Sequence, residues 1–124
     1  MNRIERFPTP LPVPFSRAVR AGGFIFVSGQ MAMNAEAKIV DGDVTVQTRI
    51  VLERIAATLA DAGASMTDVV RATVWLADLG DFGAFNEEYR KHFGNALPAR
   101  STVQATLFGG AAVEIEVQAL APAA

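Results

Sequence analysis

Arg100 stands at the mouth of a strand-like stretch, Leu97 to Leu107 (LPARSTVQATL), and two carboxylates follow at Glu114 and Glu116. A guanidinium is a planar donor suited to gripping a carboxylate through two parallel hydrogen bonds. A carboxylate near such a site can take up or deliver a proton. Other chemical tools are few: the chain has no cysteine and one histidine, His92. Thiolate nucleophiles, disulfides and cysteine-ligated metals are thereby excluded. His92 falls in the last turn of a helix-like segment, where a cation favours the helix dipole, so it reads as structural.

The spacing of these residues can be read by strand parity. Thr102, Gln104 and Thr106 share one face of their strand, and Glu114, Glu116 and Gln118 share one face of the next. Helices are expected over the opposite, apolar faces. Arg100 has the parity of the polar face. If the two strands form a hairpin around Phe108-Gly109-Gly110, Thr106 faces Glu114 and Arg100 lies near Leu120. Arg100 and Glu114 would then be ~20 Å apart, at about 3.3 Å per residue. An Arg100–Glu114 site could close only between subunits. On the residues alone a blander reading stands beside this one: Arg100 as an interface arginine, Glu114 and Glu116 as solvated acids.

The elements that must position these groups follow from periodicity. Residues 1–14 hold prolines 8, 10, 12 and 14 and read as an extended segment. Two apolar runs flank Gly22-Gly23, a dipeptide suited to a two-residue hairpin. The second, Phe24 to Val27, leads into Ser28-Gly29-Gln30 and a short strand-like Met31–Met33. A helix is expected over 46–62, with Leu52, Ile55, Ala56 and Leu59 as its stripe and Gln47 off it. Residues 68–78 read as a strand buried on both faces, Trp75 included. A second helix begins at Asp81 as N-cap and stops at Gly94, carrying Phe82, Phe85, Tyr89 and Phe93 as an aromatic stripe. Two final strands complete the order β-β-β-α-β-α-β-β: a single α+β domain over 1–124, with five or six strands and both helices on one face.

Composition narrows the class. With 124 residues the chain fits one domain, and 51% hydrophobic residues mark it as globular. That fraction points to apolar surface covered by partner subunits. The net charge of −2, with bases dispersed, lacks the clustered basic face of a nucleic-acid binder. Neither a signal-peptide core nor a membrane-length apolar run is present, so no membrane partner is expected and the cytoplasm is the default compartment.

Three stretches, PFSRAVRAGGFIFVSGQMAMN, DVVRATVWLADLGDFGAFNEEYRKHFG and LPARSTVQATLFGGAAVEIEVQALAP, together resemble the RidA/YjgF family of reactive-intermediate enamine and imine deaminases. The similarity runs from about Pro14 to Pro122 in the family's order. It implies a chorismate-mutase-like fold, a homotrimer with sites between subunits, and no cofactor or metal. It also implies hydrolysis of 2-aminoacrylate-type 2-imino acids to 2-keto acids and ammonia. By the same resemblance Arg100 clamps the substrate carboxylate, and Glu114 holds or activates the attacking water. Ser28, Gly29 and Asn86 line the cleft. Phe15 stands where the family usually has tyrosine, keeping a wall but not its hydroxyl, and Thr102 stands where a cysteine is frequent. The alternatives are a deaminase of a larger unsaturated amino acid, such as 2-aminomuconate, or a non-catalytic trimer binding small carboxylates. A ribonuclease, another attribution within the family, fits poorly with net charge −2 and a structural His92.

Overall fold

The structure, a computed structural model, describes residues 3–123. Six strands form one mixed sheet: β1 (Ile4–Phe7), β2 (Ala18–Ala21), β3 (Phe24–Gln30), β4 (Val69–Leu76), β5 (Ala99–Gln104) and β6 (Val113–Leu120). Their order across the sheet is β1-β2-β3-β6-β4-β5. Helix α1 (Val44–Asp61) connects β3 to β4, and α2 (Phe82–Phe93) connects β4 to β5. Only β4 and β5 run parallel; such a pair needs a crossover, which α2 supplies. The expected α+β architecture is present. Leu52, Ile55 and Leu59 of α1 and Phe85 of α2 meet Ile25, Val74, Leu76, Val113 and Ile115 of the sheet in one core.

Local chemistry accounts for most boundaries. Gly22 and Gly23, at φ 59° and 85°, make the tight turn joining β2 to β3, a conformation that costs glycine little. Asp43 caps α1, its carboxylate accepting from the Val46 amide at 3.0 Å, so the helix starts two residues before the expected position. Gly94 ends α2 as expected. Asp81 does occupy the N-cap of α2 but makes no capping bond; Asp78 instead accepts from the Gly80 amide in the short 3-10 turn ahead of it.

Several expectations need correction. The order β-β-β-α-β-α-β-β holds, but its first strand is Ile4–Phe7, inside the segment expected to be merely extended. It pairs with β2 up to Phe7 and stops where Pro8 removes the next donor. Met31–Met33 is not a strand and contributes one bridge, Met33 to Ile39. Gln47 lies inside the buried face of α1 and not off it. Its amide donates to Gly42 O and its carbonyl accepts from Ala112 N, each at 2.9 Å, so each polar end has a partner. Ala56, expected in the stripe, is only half-buried. β4 is buried on one face alone: Ala72, Val74 and Leu76 meet the helices, while Trp75 is half-buried on the other side. With both helices on one face, the second face of the sheet stays open in the single chain. Phe24, Phe26, Val103 and Leu120 lie exposed on it.

The last two strands do not form a hairpin. β6 inserts between β3 and β4, and β5 is the sheet edge. Burial explains the choice. β6 offers Val113, Ile115, Val117 and Ala119, all buried, and gains most from a central place. β5 reads Ala-Arg-Ser-Thr-Val-Gln and suits an edge. The Phe108–Gly110 turn, with Gly109 and Gly110 at φ 63° and 73°, carries the chain from that edge back to the centre.

Candidate functional site

The sheet register fixes where Arg100 points. Arg100 pairs with Ala72, which is fully buried under the helices, so Arg100 belongs to the helix-covered face. The expectation that it shares the open polar face with Glu114 is wrong. Alternation held along the strand, but an edge strand is covered only by the flank of α2, and polar side chains can lie on that side.

There the aromatic stripe of α2 receives it. The Arg100 guanidinium carbon lies 4.8 Å from the centroid of Tyr89, 5.2 Å from Phe85 and 5.6 Å from Phe82. Such contacts between a cation and ring faces hold the group without neutralising it. Arg100 Nη2 donates to Asn86 Oδ1 at 2.8 Å. Asn86 and Tyr89 are three apart on the helix and therefore reach the same side. A cleft of about 240 Å³ opens beside them, lined by Asn86, Tyr89, Arg90, Leu97, Pro98 and Arg100. Burial raises the Tyr89 phenol above its ordinary value, and the Arg100 cation opposes this only in part. Thr102, two residues along the same face, is half-buried, and its hydroxyl has no hydrogen-bond partner among the described residues.

Glu114 sits on the open face, paired in register with Trp75. Between Val27 and Gln30 the β3–β6 register slips, so Ser28 and Gly29 together oppose Glu116 as a bulge. The bulge brings Gly29 against Glu114: a Cβ built on Gly29 would overlap the Glu114 carboxylate. Burial raises the Glu114 carboxyl above the usual range, and the neighbouring Glu116 raises it further. Ser28 donates its hydroxyl to Ser16 O at 2.6 Å, tying the bulge to the chain that leads back to Phe15. Phe15 itself is exposed.

The sequence-predicted residues therefore fall into two groups. Arg100, Asn86 and Thr102 gather at the β5 edge on the helix side. Ser28, Gly29 and Glu114 gather at the bulge, with Phe15 beyond them. Arg100 and Glu114 are three residues apart in register and two strands apart, about 10 Å along and about 10 Å across. They also face opposite sides of the sheet. The two do not meet within one chain, as expected, but the cause is the sheet between them and not a hairpin.

Sequence reasoning missed Tyr89 and Arg90 as walls of the Arg100 cleft. The signal was present, since Asn86, Tyr89 and Arg90 occupy positions i, i+3 and i+4. His92 is committed elsewhere: its Nε2 lies 2.7 Å from Glu88 Oε2. Glu88 is 3% exposed, and although burial opposes its ionisation, His92, Arg49 and Lys91 together hold its carboxyl below the ordinary value.

Both the sequence and the fold have known relatives. The sequence model described as Endoribonuclease L-PSP matches residues 8–121. A RutC family protein of Pyrococcus abyssi is 48% identical over 101 residues, covering 81% of this chain and 79% of that protein. A goat (Capra hircus) protein named 2-iminobutanoate/2-iminopropanoate deaminase is 41% identical over 109 residues, 86% of this chain and 80% of its own length. The crystal structure of RidA from the Antarctic bacterium Psychrobacter sp. superimposes with a TM-score of 0.84 at 33% identity, covering 97% of this chain and 99% of that one. No helix of the described residues is long and apolar enough to cross a membrane.

Proposed function

Because this chain belongs to the RidA/YjgF (L-PSP) family, we propose that it hydrolyses small 2-imino carboxylates to 2-keto acids and ammonia, without a cofactor. The observation that carries this reading is the pair of half-sites: a preformed anion grip at the β5 edge, and a carboxyl with a raised pKa poised over a glycine bulge on the opposite face. Each is incomplete alone. In this reading the working unit is a homotrimer, in which the Arg100 edge of one copy meets the Glu114 face of the next. The apolar open face, with Phe24, Phe26, Val103 and Leu120, supports such an assembly.

The chemistry needs little machinery. Arg100, oriented by Asn86 and the α2 rings, binds the substrate carboxylate through two hydrogen bonds. A water held by Glu114 adds to the electrophilic imine carbon. As the C–O bond forms, the water gives a proton to the carboxylate, which burial and the neighbouring Glu116 make a better proton acceptor than an ordinary carboxylate. Glu114 passes that proton to the nitrogen to give an amino alcohol; the remaining hydroxyl proton then moves through Glu114 to the nitrogen as the C–N bond breaks, so that ammonia leaves and the carbonyl forms. Positioning supplies most of the acceleration, because the imine carbon is already reactive. Phe15 offers an apolar wall where a hydroxyl would otherwise stand.

The test is keto-acid release from imines generated in situ by an amino-acid oxidase. Wild type should accelerate release, and Arg100→Ala should lose about a hundredfold of that acceleration. Equal acceleration by Arg100→Ala, or none by wild type, overturns the proposal. Arg100-dependent cleavage of added RNA would favour the nuclease of the family's description instead.

A further inference from the structure

We propose that a second cleft, on the helix side between α1 and the N-terminal segment, binds a small organic anion with an apolar body, and that Arg54 is its charge contact. The cleft measures about 430 Å³, within the range of pockets that enclose small ligands. Its floor and walls are largely apolar, with Leu11, Phe15, Met31, Met33 and Ala57 among them. Methionine side chains adapt to ligands of varied shape, which suits an aliphatic body.

Charge selects the ligand's sign. Two arginines line the cleft, and no acid does. Arg17 is already satisfied: it pairs with Asp61 at 2.7 Å and donates to Pro8 O at 3.1 Å. Arg54 is half-buried and has neither an ion pair nor a side-chain hydrogen bond among the described residues. Its neighbour Glu53 follows the helix to another side, since adjacent helical residues do not face each other. A partly desolvated guanidinium with no partner in an apolar cleft favours an anion there. Asn34 adds a second contact. Its carbonyl oxygen accepts from the Glu36 and Lys38 amides, which fixes the side chain and leaves the NH2 free to donate. The wall opposite α1 is preorganised, because prolines 10, 12 and 14 restrict the segment that forms it.

This cleft shares Phe15 and Gly29 with the proposed deaminase site, but its charge contact does not. The inference therefore stands apart from that reading and can be tested with Arg100 removed. The probe is octanoate, titrated calorimetrically into the Arg100→Ala protein, with octylammonium as the charge-reversed control. Octanoate should bind, and octylammonium should not. Adding Arg54→Gln should weaken octanoate about tenfold or more. Ala57→Glu, which places an acid in the cleft from an exposed helical position, should do the same while leaving the fold intact by circular dichroism. The proposal fails if octanoate does not bind the Arg100→Ala protein, if Arg54→Gln leaves its affinity unchanged, or if octylammonium binds equally well.

Discussion

At the scale of single residues, Glu114 and Gly29 work as one device. The Glu114 carboxyl is raised by burial and by Glu116, so the folded state favours its protonated form. The stability tied to it is therefore present at low pH and is lost as pH rises through the folded value. Glu114→Gln removes that dependence. Its melting temperature should match wild type below the ordinary carboxylate range and exceed it above the raised value, while imine hydrolysis collapses throughout. Thermal melts across pH check this, and a wild-type advantage at neutral pH would contradict it. Gly29→Ala probes the same pair from the backbone side. The added methyl meets the far end of a flexible side chain, so the carboxylate can swing aside. Stability should fall by about 1 kcal/mol or less, yet turnover should drop on the order of a hundredfold, because misplacing a reacting group by about 1 Å costs that much. Parallel denaturation and rate measurements separate the two effects.

At the scale of elements, what could be read from the sequence was local periodicity, and what could not was which elements become neighbours. The two helices, the Gly22-Gly23 hairpin and the aromatic stripe of α2 each declare themselves within a dozen residues. Alternation along β5 and β6 was legible too. Nothing local says that β4 lies between them, and that non-local fact moved Arg100 to the helix side of the sheet. β4 misled for a related reason: a β-branched run reads as buried on both faces, yet its second face is open in one chain. Gln47 is the opposite case, a polar residue that periodicity placed outside and hydrogen bonding drew in. It ties the start of α1 to the strand that carries Glu114, through the Ala112 amide two residues ahead. Gln47→Leu fills the space but leaves the Ala112 N–H and the Gly42 carbonyl unpaired. It should cost about 1–3 kcal/mol in urea unfolding. A neutral result would mean that water replaces both bonds.

At the scale of the whole molecule, the sheet itself is the barrier between Arg100 and Glu114, and that makes a numerical prediction. If each site takes Arg100 from one copy and Glu114 from a neighbour, Arg100→Ala and Glu114→Gln proteins are each inactive for different halves of the same site. Mixed by co-refolding in equal amounts, they assemble at random. A site is intact when the copy supplying arginine is the Glu114→Gln chain and the copy supplying glutamate is the Arg100→Ala chain. Each condition holds for half of the copies, so about a quarter of wild-type activity should return, as a heterologous ring interface requires. The recovered rate should follow the product of the two mole fractions, highest at equal mixing and vanishing at either end. Activity that stays at the level of the separate variants would place both groups in one chain's site, against the opposed faces seen in the sheet. A recovery linear in either component would point to one variant retaining activity of its own. The quadratic dependence belongs to a site built from two copies, and a trimer with three such interfaces shows it without any change in the fold of its chains.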